Sequence, residues 1–443
     1  MQSLELKKRD LYLNRLIDQQ DNGKLKIITG LRGVGKSSLL FLMEKHLRAR
    51  GKSVDQIVYI NFQPLQRILK TPEKLKEKLS ELAPKEGHYY MFLDEIQIMN
   101  GWQDVVNEWM KTQDVDMYIC GSNRSILSEE LDAIKEDNYA QIVMLPLSLP
   151  EFIEFNGFMK VEVTQSLLDK QQHPMYRSSI NDRIYTLEEV YDLYIKYGGL
   201  PILFYVGLEM DRARIAVDGA YCSIVYHDIL EVQKSSGQRL ITDPILLREI
   251  IAVLTEDIGQ VVSYTSVGKQ LIREGFLNAG KRKSAPAPRT IEAYILALCD
   301  AFFFYQVPRY DMKNETFLQT LDKYFLIDVC FRNYLFGMSN DVNRQTVLIN
   351  KIYFEFIRRQ YDVCVGKNGM QNIHFIAKKN NETLYVMVED EINERNIQKK
   401  TAVLRRLDRD DRKVIIAWKC KPQMTKSGIQ IVNAMDFLME QAL

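Results

Sequence analysis

Short apolar runs alternate with amphipathic stretches along the first third of the chain. Leu25-Lys26-Ile27-Ile28-Thr29, Gln56-Ile57-Val58-Tyr59-Ile60-Asn61-Phe62, Tyr89-Tyr90-Met91-Phe92-Leu93, Val115-Asp116-Met117-Tyr118-Ile119-Cys120 and Gln141-Ile142-Val143-Met144-Leu145 have the length and β-branched or aromatic content of buried strands. Between them the spacing changes to that of a helix. Leu39, Leu40, Met43 and Leu47 share one helical face, and Trp102, Val105, Val106, Trp109 and Met110 form an i, i+3, i+4, i+7, i+8 stripe suited to core packing. Strands alternating with helices predict an α/β fold, a parallel sheet with helices on both faces. In such a sheet ligands sit at the carboxyl ends of the strands.

The pattern then changes. Residues 160–185 are polar and irregular, an expected exposed insertion in which His173 is a loop histidine. Helices are predicted over 187–196 and 211–231. Gly198-Gly199-Leu200-Pro201 between them is either a helix stop or a hinge. Helices over 244–256, 265–274 and 290–300, followed by a strand pair starting at 302–306, have a winged-helix layout. Lys281-Arg282-Lys283 and Arg289 could grip phosphates. The helix that would enter a groove carries Ile291, Ala293, Tyr294, Ile295, Leu296, Ala297 and Leu298, which suits protein packing better than base reading. Beyond 312 a helix (348–359), five strands (361–366, 373–378, 384–388, 413–418, 429–432) and a final helix (433–441) are predicted. Glu389-Asp390-Glu391 and Glu394 read as a solvated loop and helix start rather than a cation site. The expected divisions are 1–150, a helical connection over 151–237, a winged-helix-like part over 238–311, and an α/β part over 312–443.

Composition narrows the class. The chain has 443 residues, 46% hydrophobic and 26% charged, the ordinary globular mix. No apolar run approaches the roughly 18–20 residues of a membrane span. The charged start Met1-Gln2-Ser3-Leu4-Glu5-Leu6-Lys7-Lys8-Arg9 lacks the apolar core of a signal peptide. Six scattered cysteines without a C-x-x-C motif suit a reducing, cytoplasmic setting. Lys+Arg 59 against Asp+Glu 58 excludes a generally basic nucleic-acid binder, though not a local patch.

The chemistry lies behind the first strand. Gly30-Leu31-Arg32-Gly33-Val34-Gly35-Lys36-Ser37 fits G-x-x-x-x-G-K-[ST] between a strand and a helix, the context of a phosphate-binding loop. Its glycines let successive N–H groups point at phosphate oxygens, and the helix N-terminus adds a positive dipole end. Residues 30–38, including Ser38, would cradle ATP. Lys36 would reach the β- and γ-phosphates, and Ser37 would ligate Mg2+. A dinucleotide fold fits less well, because Ser38 stands where G-x-G-x-x-G needs its last glycine. Asp94-Glu95 close an apolar strand: Asp94 would hold the metal and Glu95 would polarise the attacking water. Gly121-Ser122-Asn123-Arg124 ends another strand. Ser122 and Asn123 there are candidate γ-phosphate sensors, or simply a polar turn.

Together these motifs resemble the prokaryotic AAA-type ATPases fused to a C-terminal domain of uncharacterised function. Matching stretches run from Ile28-Thr29-Gly30 through Leu93-Asp94-Glu95-Ile96-Gln97, Asn100-Gly101-Trp102, Cys120-Gly121-Ser122-Asn123 and Met144-Leu145-Pro146-Leu147-Ser148. They continue through Tyr197-Gly198-Gly199-Leu200-Pro201, Phe303-Phe304-Tyr305-Gln306-Val307-Pro308-Arg309-Tyr310-Asp311 and Lys323-Tyr324-Phe325-Leu326-Ile327-Asp328. The resemblance implies an ATPase core, a winged-helix-like module and a C-terminal restriction-nuclease-like domain. Two departures stand out. The Gly-Arg-Tyr usual after the sensor strand is here Asp137-Asn138-Tyr139, so an arginine finger is missing, with Arg124 as a nearby substitute. In the nuclease-like part His374, Met387 and Glu389 stand where Asp, Glu and Lys belong, and Glu355 alone cannot hold a catalytic ion. The expectation is an Mg-dependent ATP-hydrolysing switch without nuclease activity. A winged-helix DNA-binding protein with ATP as a regulatory ligand is the alternative. Partners would be a protein, DNA or a second copy of the chain, with no membrane.

Overall fold

A computed structural model describes residues 6–65, 71–84, 86–99, 101–124, 138–161, 174–232, 241–275, 284–319, 321–337, 343–369, 371–407 and 410–442. Asn100, Asp137, residues 162–173 with His173, and Lys281-Arg282-Lys283 lie outside them. The chain divides into two compact units. One comprises Met1–Leu145, Ala220–Gln238 and Asp300–Phe302; the other comprises Pro146–Gly219, Arg239–Cys299 and Phe303–Leu443.

The first unit is built on β1 (Leu25–Thr29), β2 (Ile57–Asn61), β3 (Tyr89–Asp94), β4 (Val115–Gly121) and β5 (Tyr139–Val143). All five pair in parallel in the order β2-β3-β4-β1-β5. β5 starts two residues before the apolar run that predicts it. Helices α1 (Asp10–Ile17), α2 (Lys36–Ala49), α3 (Pro72–Leu82) and α4 (Trp102–Thr112) accompany the sheet. The α4 stripe buries Trp102, Val105 and Val106 against Met91, Leu93, Met117 and Ile119, while Trp109 and Met110 pack at the edge. Lys26 looks out of place in an apolar strand. It is wholly buried and ion-paired with Asp116 of β4, whose carboxylate also accepts from the Tyr118 hydroxyl at 2.6 Å.

The second unit departs from the sequence reading at its start. Inside the stretch expected to be irregular, β6 (Phe158–Val161), β7 (Met175–Ser178) and β8 (Ile184–Tyr185) form a small antiparallel sheet. Its strands, of four, four and two residues, are too short to announce themselves by alternation. The helix Leu187–Tyr197 is closed at its N-terminus by the Thr186–Glu189 capping box. Gly198 stops it at φ 83°, and a Cβ there would lie 2.1 Å from Asp328 Oδ1. The Gly199 N–H donates to Asp328 Oδ2 at 2.7 Å, so the glycine pair makes a helix stop that admits a carboxylate.

Helices Pro244–Glu256, Tyr264–Arg273 and Pro288–Asp300 follow, the last burying Ile291, Tyr294, Ile295, Leu298 and Cys299. β9 (Phe304–Val307) pairs with β12 (Lys323–Leu326), while β10 (Arg309–Asp311) and β11 (Thr316–Phe317) join a larger sheet. That sheet adds β13 (Asp362–Asn368), β14 (Gln371–Lys379), β15 (Glu382–Glu391), β16 (Arg412–Lys419), β17 (Gln423–Met424) and β18 (Ile429–Asn433), in the order β11-β10-β13-β14-β15-β16-β18-β17. The acidic run 389–391 therefore ends a strand rather than forming a loop. The last helix, Ala434–Leu438, is shorter than its apolar pattern and is capped by Asn433.

Candidate functional site

The strand order places the carboxyl ends of β1, β4 and β3 side by side, and each leads into one predicted site segment. After β1 the chain turns through Gly30, where a Cβ would meet the Met144 carbonyl oxygen at 2.2 Å, so only glycine fits. Gly35 at φ 101° caps α2 without any side-chain cap, leaving the first N–H groups of the helix turned to the loop. Lys36 is 3% exposed, and its ammonium donates only to loop carbonyls, Gly30 at 2.9 Å and Leu31 at 3.1 Å. Among the described residues it has no carboxylate partner. A buried cation beside uncapped amides is a site for an anion.

Asp94 ends β3 and is wholly buried. Its carboxylate accepts from Ser37 Oγ at 3.0 Å, Tyr59 OH at 2.9 Å, Asn61 Nδ2 at 3.2 Å and Cys120 Sγ at 2.7 Å. Burial and the Asp94 charge push the Tyr59 hydroxyl and the Cys120 thiol far up, so both stay protonated donors. A hydroxyl and a carboxylate 3.0 Å apart are hard oxygen donors of the kind Mg2+ takes.

Glu95 follows in the left-handed region at φ 59°, a strained place for a glutamate and one typical of functional sites. Its Oε2 accepts from Gln97 Nε2 at 2.6 Å and Arg32 Nη2 at 3.3 Å, and lies 3.1 Å from Ser122 Oγ, whose single proton has its shorter contact on Asp228. Burial raises its pKa, but the charges of Lys36 and Arg32 outweigh burial and hold Glu95 below the ordinary carboxylate value. It is therefore ionised near neutrality, as a base must be.

β4 delivers Ser122 and Asn123, both buried. They meet a residue that the sequence reading missed. Asp228 comes from the π-helical segment Ile224–Glu231, where a continuous α-helix was expected. Its carboxylate accepts Ser122 Oγ at 2.6 Å and a two-pronged contact from Arg32, Nε at 3.0 Å and Nη2 at 2.8 Å. Asn123 Nδ2 donates to the Asp228 carbonyl at 2.9 Å. Burial raises the Asp228 pKa against the opposing pull of Arg32. Desolvation works against the Arg32 charge, but the Asp228 bond and charge prevail and hold it above its ordinary value. Arg124 lies over the Phe302 ring, 5.5 Å from its centroid.

The structure thus brings Arg32, Lys36, Ser37, Asp94, Glu95, Ser122 and Asn123 into one site and adds Tyr59, Asn61, Gln97 and Asp228. Two signals were available for the additions. Asn61 is a polar residue closing an apolar strand, in register with Asp94. Asp228 is a lone carboxylate within the apolar run 224–230, and a buried carboxylate needs a partner.

The nuclease-like positions have a different character. His374 Nδ1 accepts from the Val388 N–H at 2.9 Å. Burial, helped by Lys323 and Lys400, lowers its pKa to about 4, so the ring is neutral. Glu389 is buried and paired with Lys400. Glu355 is buried between Arg358 and Arg359, at 3.2 and 3.0 Å. No group of three metal-ligating side chains occurs among the described residues.

Comparison with known proteins agrees with the first unit. Residues 22–153 match the family described as an AAA domain, and residues 188–342 match a domain family of unknown function, DUF8612. An uncharacterised protein of Haemophilus influenzae is 30% identical over 436 residues, covering 98% of each chain. An uncharacterised protein of Methanocaldococcus jannaschii is 24% identical over 392 residues, 87% of this chain and 77% of that one. Among solved structures, the Aeropyrum pernix ORC1 protein in complex with DNA aligns at TM-score 0.33 and 16% identity, over 75% of this chain and 93% of that one. Caenorhabditis elegans PCH-2 aligns at 0.29 and 15%, over 48% and 66%. Likeness at that level says nothing further about this chain. No helix among the described residues is long and apolar enough to cross a membrane. The AAA-domain match and the five-stranded parallel sheet make residues 22–153 a P-loop module of the AAA class, and the end-to-end relative shows that the chain as a whole belongs to one family with the Haemophilus influenzae protein.

Proposed function

We infer that the protein binds ATP with Mg2+ and hydrolyses it to ADP and phosphate as a conformational switch. One observation carries this reading: the buried Lys36 ammonium, with no carboxylate within ion-pair distance among the described residues, at an uncapped helix N-terminus whose next residue, Ser37, bonds Asp94. Residues 30–38 would cradle the phosphates, and Ser37 with Asp94 would hold the ion, whose role when bound is to neutralise phosphate charge. Tyr59, Asn61 and Cys120 orient the Asp94 carboxylate. Glu95, aimed by Gln97 and Arg32, accepts the proton of the attacking water. Ser122 and Asn123 sense the γ-phosphate.

The switch reading assigns 1–150 to the nucleotide, 151–237 to a connection, and the winged-helix-like part (238–311) and the nuclease-like part (312–443) to partner binding. The partner is a protein, duplex DNA or a second copy of the chain. No nuclease activity is proposed, since Glu389 and Glu355 are closed by cations and His374 Nδ1 is taken by a backbone N–H. Six free thiols suit a cytoplasmic setting.

The test is ATP turnover and native mass measured together, with and without Mg2+ and duplex DNA. The expected result is Mg-dependent phosphate release that Lys36→Ala abolishes. Calorimetry showing no uptake of ATP with magnesium present would overturn the reading.

A further inference from the structure

We propose that Arg32 is the residue by which this site distinguishes a triphosphate from a diphosphate, with Asp228 as the resident anion that holds Arg32 until a γ-phosphate replaces it. The proposal rests on the ATP-binding reading and adds to it a specificity-determining residue and its positioning partner.

The geometry is that of an occupied anion site. Arg32 stands on the phosphate-binding loop, four residues before Lys36. Its guanidinium does not point to solvent but lies where the base and the sensor meet. Nη2 is 3.3 Å from Glu95 Oε2, 3.2 Å from Ser122 Oγ and 2.8 Å from Asp228 Oδ1, and Nε is 3.0 Å from Asp228 Oδ2. Ser122 Oγ adds a third bond to the same carboxylate at 2.6 Å. A guanidinium fork plus a hydroxyl is a donor set that grips a phosphate as readily as a carboxylate. Here it grips the carboxylate of a residue 196 positions away along the chain.

Charge makes the two occupants exclusive. Asp228 is 2% exposed and Glu95 is 6% exposed, so neither is screened by water. Arg32 already serves both carboxylates. A γ-phosphate beside Glu95 would bring further negative charge against a buried Asp228, and like charges at such range repel strongly. The γ-phosphate and Asp228 would compete for the same guanidinium fork and the same Ser122 proton. A diphosphate lacks the oxygens that compete for them and leaves Asp228 in place. There is room for the exchange: Arg32 and Asp228 border a cavity of about 520 Å3, shared with Gln63, Gln97, Tyr226 and Glu231. Asp228 also sits on a π-helical segment, a rare conformation frequent at functional sites.

The placement also bears on the absent arginine finger. Arg32 would supply a cation to the γ-phosphate from within the same chain once Asp228 releases it.

The test is calorimetric binding of Mg-ADP and of a non-hydrolysable Mg-ATP analogue to the full chain and to Arg32→Ala, Arg32→Lys and Asp228→Asn. Arg32→Ala is expected to weaken the Mg-ATP analogue by about tenfold or more beyond any loss it causes for Mg-ADP, so that the preference for the triphosphate falls. Arg32→Lys should recover only part of it, because an ammonium lacks the fork. Asp228→Asn should raise triphosphate affinity several-fold, roughly the worth of removing one competing charge, without changing that of ADP. A merely structural ion pair would instead weaken both nucleotides equally, or neither, in Arg32→Ala and Asp228→Asn. Either of those results overturns the assignment while the ATP reading stands. Failure of the unmodified chain to bind either nucleotide overturns both. Should Arg32→Ala not fold, Asp228→Asn decides alone by the direction of its triphosphate change.

Discussion

Two regions of this protein carry carboxylates at or beside strands, and they differ in how their charges are closed. At the end of β3, Asp94 is held by four donors, none of them a cation, and nearby Lys36 donates only to carbonyl groups. In the eight-stranded sheet, Glu389 has Lys400, and Glu355 on the neighbouring helix has Arg358 and Arg359. His374 is neutral, and one ring nitrogen is spent on the Val388 N–H. In the first arrangement no ion pair within 4 Å closes Asp94 or Lys36 among the described residues. The second is complete without a ligand. Carboxylate content alone does not separate a site from a structural cluster; the pairing does.

Four substitutions break or sharpen this contrast. The largest effect is expected for Lys36→Ala, which should remove ATP binding and turnover together, a loss of about 1,000-fold or more, since it deletes a buried charge on the phosphates. Equilibrium binding and phosphate release read both. Glu95→Gln should keep ATP affinity and lower turnover by at least about 100-fold, the usual worth of a general base. Normal turnover in that variant would remove Glu95 from its role.

In the second region the expected losses concern stability instead. Glu355→Ala removes the nearest carboxylate from buried Arg358, which keeps Glu151 at 3.5 Å, and from half-buried Arg359, and should cost about 3 kcal/mol, read as a lower denaturant midpoint, with ATP affinity unchanged. The smallest effect is a pH dependence. The folded His374 pKa, about 4, lies below the unfolded value of about 6.5. The unfolded chain therefore takes up the proton first as pH falls. The contribution is fully present above pH 6.5 and is lost progressively towards pH 4, about 2 kcal/mol by pH 5. His374→Gln should flatten the pH 5–7 stability profile by that amount, and an unchanged slope would mean that the ring takes up its proton at the same pH folded and unfolded.

Local signals made the first unit readable. All five strands of its sheet, the loop after β1 and the carboxylate pair after β3 are contiguous segments, and contiguous segments carry their own periodicity and motif. The three-stranded sheet β6-β7-β8 escaped because strands of two to four residues hold too few positions to show a period. The acidic run 389–391 was misread for a related reason. Charged residues at a strand end look like loop, and only the parallel pairing of Glu389 with Ala417 and Glu391 with Lys419 extends β15 through them.

What could be read without coordinates was a chemistry of neighbours along the chain: glycines, a lysine and a serine fixed in spacing by one strand–loop–helix turn. Which side chains face that turn from elsewhere was a matter of packing. Asp228 reaches Arg32 and Ser122 from 196 and 106 positions away, and no local pattern encodes such a distance. The same holds for the partners of Glu355, His374 and Lys26. Desolvation obliges each buried charge to find a counterpart, but the folded arrangement of strands and helices selects which one.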